Sequence, residues 1–339
     1  MGVQIGEIVP KRELSFKDLR GKVIAIDAFN SMYQFLATIR QPDGTPLMDS
    51  TGRVTSHLSG LLYRTTNLVE EGVKPVYVFD GEPPELKSKT IEERRETRKE
   101  AEMHWKEALE RGDIEEARKY AQASSKLTDE MVKESKELLD YMGIPWVQAP
   151  SEGEAQASHM VKRGDAWAVG SQDYDSLLFG ASRLVRNLTL TGRRKLPGKK
   201  TWIEVKPELI DLREVLDKLG IDSEKLIILG ILVGTDYNEG VRGIGPKRAL
   251  DLVKRTEKEL LEELLEEKVT QWREIFSIFS NPEVTSEYNI SFRKPSRDKI
   301  IEFLCEERDF SRDRVEKAIS RLEKSMASLS QSSLEAWFS

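Results

Sequence analysis

The chain has 339 residues, 38% of them hydrophobic, enough for a sizeable core in one large domain or two smaller ones. A single cysteine, Cys305, excludes an internal disulfide framework and points to a reducing, intracellular compartment. The formal net charge of −6 argues mildly against a nucleic-acid binder, but the charge is unevenly spread: residues 183–206 hold eight Lys or Arg and one acid, whereas residues 257–267 hold six Glu and one Lys.

In chain order, Met1-Gly2-Val3-Gln4-Ile5-Gly6 has neither a basic n-region nor a long apolar run, so it does not read as a secretory signal. Gly6 stands where myristoylation would need Ser or Thr. No later segment is apolar for long enough to cross a membrane. Three short apolar runs, Val23–Ile26, Val76–Phe79 and Ala166–Val169, are separated by helix-like sequence. That pattern predicts buried parallel strands joined by crossover helices, hence an α/β fold with a mostly parallel central sheet flanked by helices. Residues 87–142 carry no strand signal. Lys87–Arg111 is a densely charged helix with few apolar anchors, exposed or bridging over something. Asp113–Ala123 and Thr128–Met142 are further helices, the second capped by Thr128. Gly192–Lys200 reads as a basic loop, Leu226–Val233 as an apolar helix, and Ile300–Cys305 as an amphipathic run in which Cys305 serves as a small hydrophobe. After Arg321 the chain turns Ser-rich and loses periodicity, ending in a flexible tail.

Each apolar run leads into aspartate: Asp27, Asp80, and then Asp173 with Asp175. One Asp after a strand is ordinarily a turn residue or helix cap. Three such strands, one with an Asp-x-Asp pair, are harder to explain that way, because open parallel sheets bind ligands at the strands' carboxyl ends. Glu152 and Glu154 form a second pair. Ser151 with Glu154 also makes a capping box, so capping and ligation both stand for this pair. Asp236 follows the helix Leu226–Val233, where a helix-ending turn is the alternative role.

Seven converging carboxylates repel one another, and oxygen-only ligands select hard ions such as Mg²⁺ or Mn²⁺. Two divalent ions would still leave a net negative site, so cations are needed to admit a phosphodiester. Lys87 and Arg94, seven residues apart on one helix face, are the candidates, with ordinary solvated charge as the alternative. Competing motifs are missing: His57, His104 and His159 form no zinc pattern, there is no Gly-x-Ser-x-Gly elbow, and Gly243-Ile244-Gly245-Pro246-Lys247 lacks Walker spacing. A phosphatase of the haloacid-dehalogenase type would need an acid two residues after Asp27, where Phe29 stands.

Asp27-Ala28-Phe29-Asn30, Val78-Phe79-Asp80-Gly81-Glu82-Pro83-Pro84, Glu152-Gly153-Glu154-Ala155-Gln156-Ala157 and Gln172-Asp173-Tyr174-Asp175 together resemble the flap endonucleases of the structure-specific 5′-nuclease superfamily. The resemblance implies one nuclease domain over residues 1–325, with a helical arch at about 87–123 and a helix–turn–helix at about 226–255. It implies two metal ions held by Asp27, Asp80, Glu152, Glu154, Asp173, Asp175 and Asp236, with Lys87 and Arg94 steering the scissile phosphate. Tyr33 matches a base-stacking residue, although it reads equally as a helix-packing aromatic. Arg40, Thr55 and Arg64 match further substrate contacts. Gly243, Gly245, Lys247 and Arg248 match the element that grips duplex DNA, whose turn is expected to hold K⁺. Implied too are 5′ flap cleavage with 5′–3′ exonuclease activity, in replication and repair, by a monomer. Residues 326–339 form a tail whose Gln331, Leu334, Trp337 and Phe338 match the peptide that binds the replication sliding clamp. The chain stops at Ser339 without a basic extension, which suits an archaeal protein of the cytoplasm or nucleoid, and the 33% charged composition suits a thermophile.

Overall fold

A computed structural model of the protein describes residues 2–189, 192–195 and 202–338, with side chains described for 2–189 and 205–329. A seven-stranded sheet is built from β1 (Arg12–Glu13), β2 (Val23–Asp27), β3 (Lys74–Phe79), β4 (Trp146–Gln148), β5 (Ala168–Gly170), β6 (Arg183–Arg186) and β9 (Glu208–Asp211), in the order β1-β9-β6-β5-β2-β3-β4. The five strands β6, β5, β2, β3 and β4 run parallel, and β9 pairs antiparallel with β6 and β1. The chain lays β2, β3 and β4 outward in one direction, then returns to place β5 and β6 on the other side of β2. That reversal opens a crevice at the carboxyl ends of β2 and β5.

Alternation along the strands builds two cores, one on each face. Ile24, Ile26, Tyr77, Phe79, Ala168 and Val185 face one cluster; Ala25, Val76, Val78, Val169 and Leu184 face the other. With both faces covered, the central strands are apolar throughout, which is why three of them stand out in the sequence. β4 does not stand out. It is three residues long and follows Pro145, so its apolar run is too short to signal a strand.

The arch segment is two antiparallel helices, Ser88–Glu110 and Ile114–Ala123, the second capped by Asp113 accepting from the Glu116 amide at 3.0 Å. Only Ala101 and Ala108 are buried on the first and Ala117 and Ala121 on the second, small residues that let the pair pack closely while the rest stays charged and exposed. Thr128 caps Asp129–Met142 as expected. Ser223–Val233 and Pro246–Arg255 are the two helices on either side of the turn expected to form a helix–turn–helix.

Three sequence expectations change. Glu152, not Ser151, is the N-cap of the helix Gly153–Arg163, so the Ser151–Glu154 capping box does not form. The Ser151 carbonyl instead accepts from the Gly81 amide at 2.6 Å, an approach so close that a Cβ on Gly81 would lie 2.3 Å from the Ala149 and Pro150 carbonyl oxygens. Within the basic loop, Gly192–Lys195 is a strand, β7, paired antiparallel with β8 (Trp202–Val205), whose Trp-Ile-Glu-Val sequence suits a strand; residues 196–200 lie outside the described set. The final helix, Arg312–Phe338, continues past Arg321, where periodicity was expected to fail. Leu322 and Met326 are buried against the second core and Leu329 packs partly buried beside it, an i, i+4, i+7 stripe that a count of serines hides. Cys305 is partly buried on that same core.

Candidate active site

The crevice between β2 and β5 is where the acids meet. Asp27 is the last residue of β2 and caps the helix Ala28–Thr38, accepting from the Asn30 amide at 2.9 Å. Asp80 follows β3 and accepts from the Gly153 amide at 2.7 Å, which ties it to the helix bearing Glu154. Glu152 and Glu154 follow β4, and Asp173 and Asp175 follow β5. Asp236 lies in the turn after Ser223–Val233, where Thr235 and Asn238 bridge each other. All seven line one cleft of about 360 Å³. A larger cleft of about 840 Å³ lies at the arch base beside Lys89, Glu239 and Lys268; it touches this one only through Tyr237 and gathers none of the seven.

Their crowding shows in their proton affinities. Burial, then repulsion from Asp80, pushes the Asp27 carboxyl well above the usual carboxylate range. Burial and Glu152 lift Asp80 to about 6, and burial and Asp236 lift Asp175 to about 7. Glu154 is also pushed well up, first by burial and then by Asp175. Asp236 moves the opposite way: burial would raise it, but Lys87 and Arg94 outweigh that and hold it below its ordinary value. Lys87 Nζ sits 2.6 Å from Glu152 Oε2 and 3.5 Å from Asp236 Oδ2, and an Arg94 guanidinium nitrogen sits 2.5 Å from Asp236 Oδ1. Lys87 ends a 3₁₀ turn, Glu85–Lys87, that runs straight into the arch helix, so the two cations reach the acids from one continuous face.

These residues fit divalent cations. The buried Glu154 Oε1 has no hydrogen-bond partner among the described residues, a costly state for a carboxylate oxygen that a cation would relieve. Among the described residues, no three such groups are disposed to hold a single ion as they stand. Six of the seven carboxylates instead turn to an amide, lysine or arginine, and Glu154 is the exception. This arrangement suits small hard ions, which take one or two carboxylates and keep several waters.

The XPG N-terminal domain matches residues 2–101 and the XPG I-region matches residues 143–236, which together contain every one of these acids. Over 339 residues, 100% of this chain and 99% of the relative, the sequence is 58% identical to "Flap endonuclease 1" of Thermococcus onnurineus. The chain belongs to the flap endonuclease 1 family. Flap endonuclease-1 from Methanococcus jannaschii superposes with a TM-score of 0.77 at 49% identity, covering 96% of this chain and 99% of that one. The catalytic core of Rad2 in complex with DNA substrate shares the fold, with a TM-score of 0.66 at 23% identity over 94% of this chain and 97% of that one.

Flap endonucleases depend on divalent metals, in keeping with the acid cluster. Of the other expected contacts, Tyr33 lines the same cleft. Arg40 donates to the Leu36 carbonyl at 2.7 Å, the Gly44 carbonyl at 2.7 Å and Ser125 Oγ at 2.9 Å, which joins the helix Ala28–Thr38 to the segment after Ile114–Ala123. Thr55 is buried before Ser56–Glu70, and Arg64 is half-buried, with burial lowering its pKa. None of these three is among the cleft's lining residues. In the helix–turn–helix, a Cβ on Gly243 or Gly245 would meet nothing within 4 Å, so the turn is open to a close-approaching ligand. Lys247 and Arg248 are exposed there, Lys247 pairing with Glu7 at 3.1 Å. The side chains of Gln331, Leu334, Trp337 and Phe338 lie outside the described residues.

Three contributors were missed. Asn30 Nδ2 donates to Asp173 Oδ2 at 3.1 Å; its place three residues after an aspartate cap was the available signal. The Val3 amide donates to Asp175 Oδ1 at 2.6 Å and the Gly2 amide to Asp173 Oδ1 at 3.4 Å, so the N-terminal segment forms a wall of the site. Tyr237, buried beside Asp236 and edge-on to Phe279 with centroids 5.5 Å apart, forms another. Nothing in the sequence signalled these last two.

Proposed function

We propose that this protein hydrolyses DNA phosphodiesters at the base of 5′ flaps, with associated 5′–3′ exonuclease activity, and that it serves replication and repair. The observation that carries this reading is the convergence of seven carboxylates beneath an arch that lowers Lys87 and Arg94 onto them. Two Mg²⁺ ions, with Mn²⁺ as a substitute, are the fitting occupants, held by Asp27, Asp80, Glu152 and Glu154 with Asp173, Asp175 and Asp236. When bound, the ions lower the pKa of an attacking water and neutralise the attacking and leaving oxygens of an in-line displacement.

The chain's own residues do the rest. Lys87 and Arg94 already lie against Glu152 and Asp236; once those carboxylates have other partners, both cations are released to the incoming phosphate. Asn30 and the Gly2 and Val3 amides hold Asp173 and Asp175 in orientation. Tyr33 offers a ring on which a base stacks, and aromatic stacking tolerates any sequence. Gly243, Gly245, Lys247 and Arg248 grip the duplex backbone, with K⁺ in the turn, which positions without reading sequence. Arg40, Thr55 and Arg64 serve as outlying substrate contacts. Cleavage leaves a 5′-phosphate and a 3′-hydroxyl. The tail docks on the sliding clamp through Gln331, Leu334, Trp337 and Phe338; the last three fall at i, i+3 and i+4 on a helical backbone.

The test compares a labelled 5′ flap, a bubble and blunt duplex, with and without Mg²⁺. Metal-dependent incision at the flap base, preferred over both alternatives, is expected; preference for the bubble would move the protein to another branch of the superfamily. Deleting residues 331–339 should leave basal cutting intact and remove clamp stimulation. Stimulation that survives the deletion would dismiss the tail peptide.

A further inference from the structure

One arch residue has an unusual partner. Lys87, Ile91, Arg94 and Arg98 recur at i, i+4, i+7 and i+11, so they form one stripe, and all four line the catalytic cleft. Lys87 and Arg94 reach carboxylates. Arg98 does not. Its guanidinium carbon lies over the ring of Tyr33, 4.6 Å from the centroid, although the helix around it is rich in glutamate. Tyr33 sits one helical turn beyond Asn30, whose amide holds Asp173.

An aromatic ring has two faces. A guanidinium over one face is attracted by the ring's electron density and limits the side chain's rotation. A ring held in this way can offer its other face in a fixed orientation to a base that enters the cleft it lines. A nucleobase stacks on such a ring at almost no cost in sequence preference, but it gains most where the ring is already immobile.

We propose that Arg98 is a positioning residue, distinct from the phosphate-steering cations, that backs Tyr33 so the base next to the scissile phosphate stacks on the ring's free face. The proposal rests on the nuclease reading above and adds a residue to it. Arg98 acts through Tyr33, which predicts energetic coupling: its removal matters only while both the ring and the base are present.

The experiment is a thermodynamic cycle in single-turnover cleavage with enzyme in excess. The proteins are wild type, Arg98→Ala, Arg98→Lys, Tyr33→Leu and the Tyr33→Leu/Arg98→Ala double variant. Each is assayed on a normal flap and on a flap abasic at the nucleotide next to the cut. Arg98→Ala should slow cleavage of the normal flap about threefold to thirtyfold, the range of a cation–π contact. Arg98→Lys should fall between, keeping charge but losing planar stacking. Flap affinity should change by no more than about twofold, because stacking is gained in reaching the transition state rather than in duplex docking. In the Tyr33→Leu background, or on the abasic flap, Arg98→Ala should add nothing. An equal fold loss in both backgrounds would overturn the proposal and make Arg98 a direct phosphate contact. Full activity of Arg98→Ala on the normal flap would overturn it too, as would a Tyr33→Leu variant indistinguishable from wild type. Loss of flap cleavage by the wild type itself would be a separate failure, that of the nuclease reading. A 2-aminopurine placed next to the cut reports stacking directly, and its quenching should weaken in Arg98→Ala.

Discussion

Asp175→Asn separates stability from metal binding with a predictable sign. Burial and Asp236 lift this carboxyl from 3.8 to about 7, while the Val3 amide donates to its Oδ1 at 2.6 Å. Asparagine keeps that acceptor and removes the charge. A raised folded pKa means the metal-free native state binds the proton more tightly than the unfolded chain. The penalty for ionising Asp175 is therefore absent below its unfolded value, grows between about pH 4 and 7, and is complete above 7. Three units at ~1.4 kcal/mol each give about 4 kcal/mol, an upper bound because the neighbouring carboxylates share the repulsion. In chelator at pH 8, Asp175→Asn should thus be more stable than wild type by about 2–4 kcal/mol, and the advantage should fade towards pH 4.5. Saturating Mg²⁺ should shrink that advantage, since the wild type gains about 2.7 kcal/mol at a hundredfold excess over Kd and the variant gains less. Guanidinium unfolding across this pH range, with EDTA or Mg²⁺, measures both. A variant less stable than wild type in chelator at pH 8, or an advantage independent of pH, would refute the account of this site as crowded carboxylates awaiting cations.

Lys87→Ala should lower the single-turnover rate about 10²–10³-fold while flap affinity changes little, because duplex contacts lie elsewhere; a loss wholly in affinity would argue that Lys87 only recruits DNA. In Gly2→Ala the new Cβ would lie 2.5 Å from Asp175 Oδ2, so the carboxylate must move, and a metal titration followed by stability should show weaker binding. Unchanged affinity would mean the N-terminal segment yields freely. Glu134 is buried, taking Arg308 at 2.6 Å and His57 at 3.0 Å, and these contacts hold it below its ordinary pKa against the effect of burial. Its contribution is therefore present above the unfolded pKa and lost as pH falls through the lower folded one. Glu134→Gln should cost about 3 kcal/mol at neutral pH in denaturant unfolding, and a cost under ~1 kcal/mol would show the network to be solvated.

Local pattern carried much of the architecture. β2, β3 and β5 declare themselves because a strand covered on both faces is mostly apolar, and each leads into an acid of the site. The arch declares itself through its opposite composition, two charged helices with alanines only where they touch. Thr128 and Asp113 act as caps because their side chains reach amides two or three residues on, a strictly local chemistry. Where local signals competed, the sequence misled. Ser151 fits a capping box, but its carbonyl is held by Gly81 from another loop. The serines after Arg321 suggest disorder, but Leu322 and Met326 bind that helix to the core.

Residue order and spacing thus determined the fold class and singled out the strand-end aspartates, while the full set of seven acids and two cations came from the family resemblance. Tertiary structure alone decided how they meet. The reversal of strand order after β4 sets Asp27 beside Asp173, and strand order depends on pairing between segments far apart in the chain. It also decided that the Gly2 and Val3 amides close the site from the far end of the sequence, that Arg40 reaches Ser125, and that Arg98 lies over Tyr33. Contacts of this kind leave no periodicity behind, because each joins residues whose separation along the chain bears no relation to their separation in space.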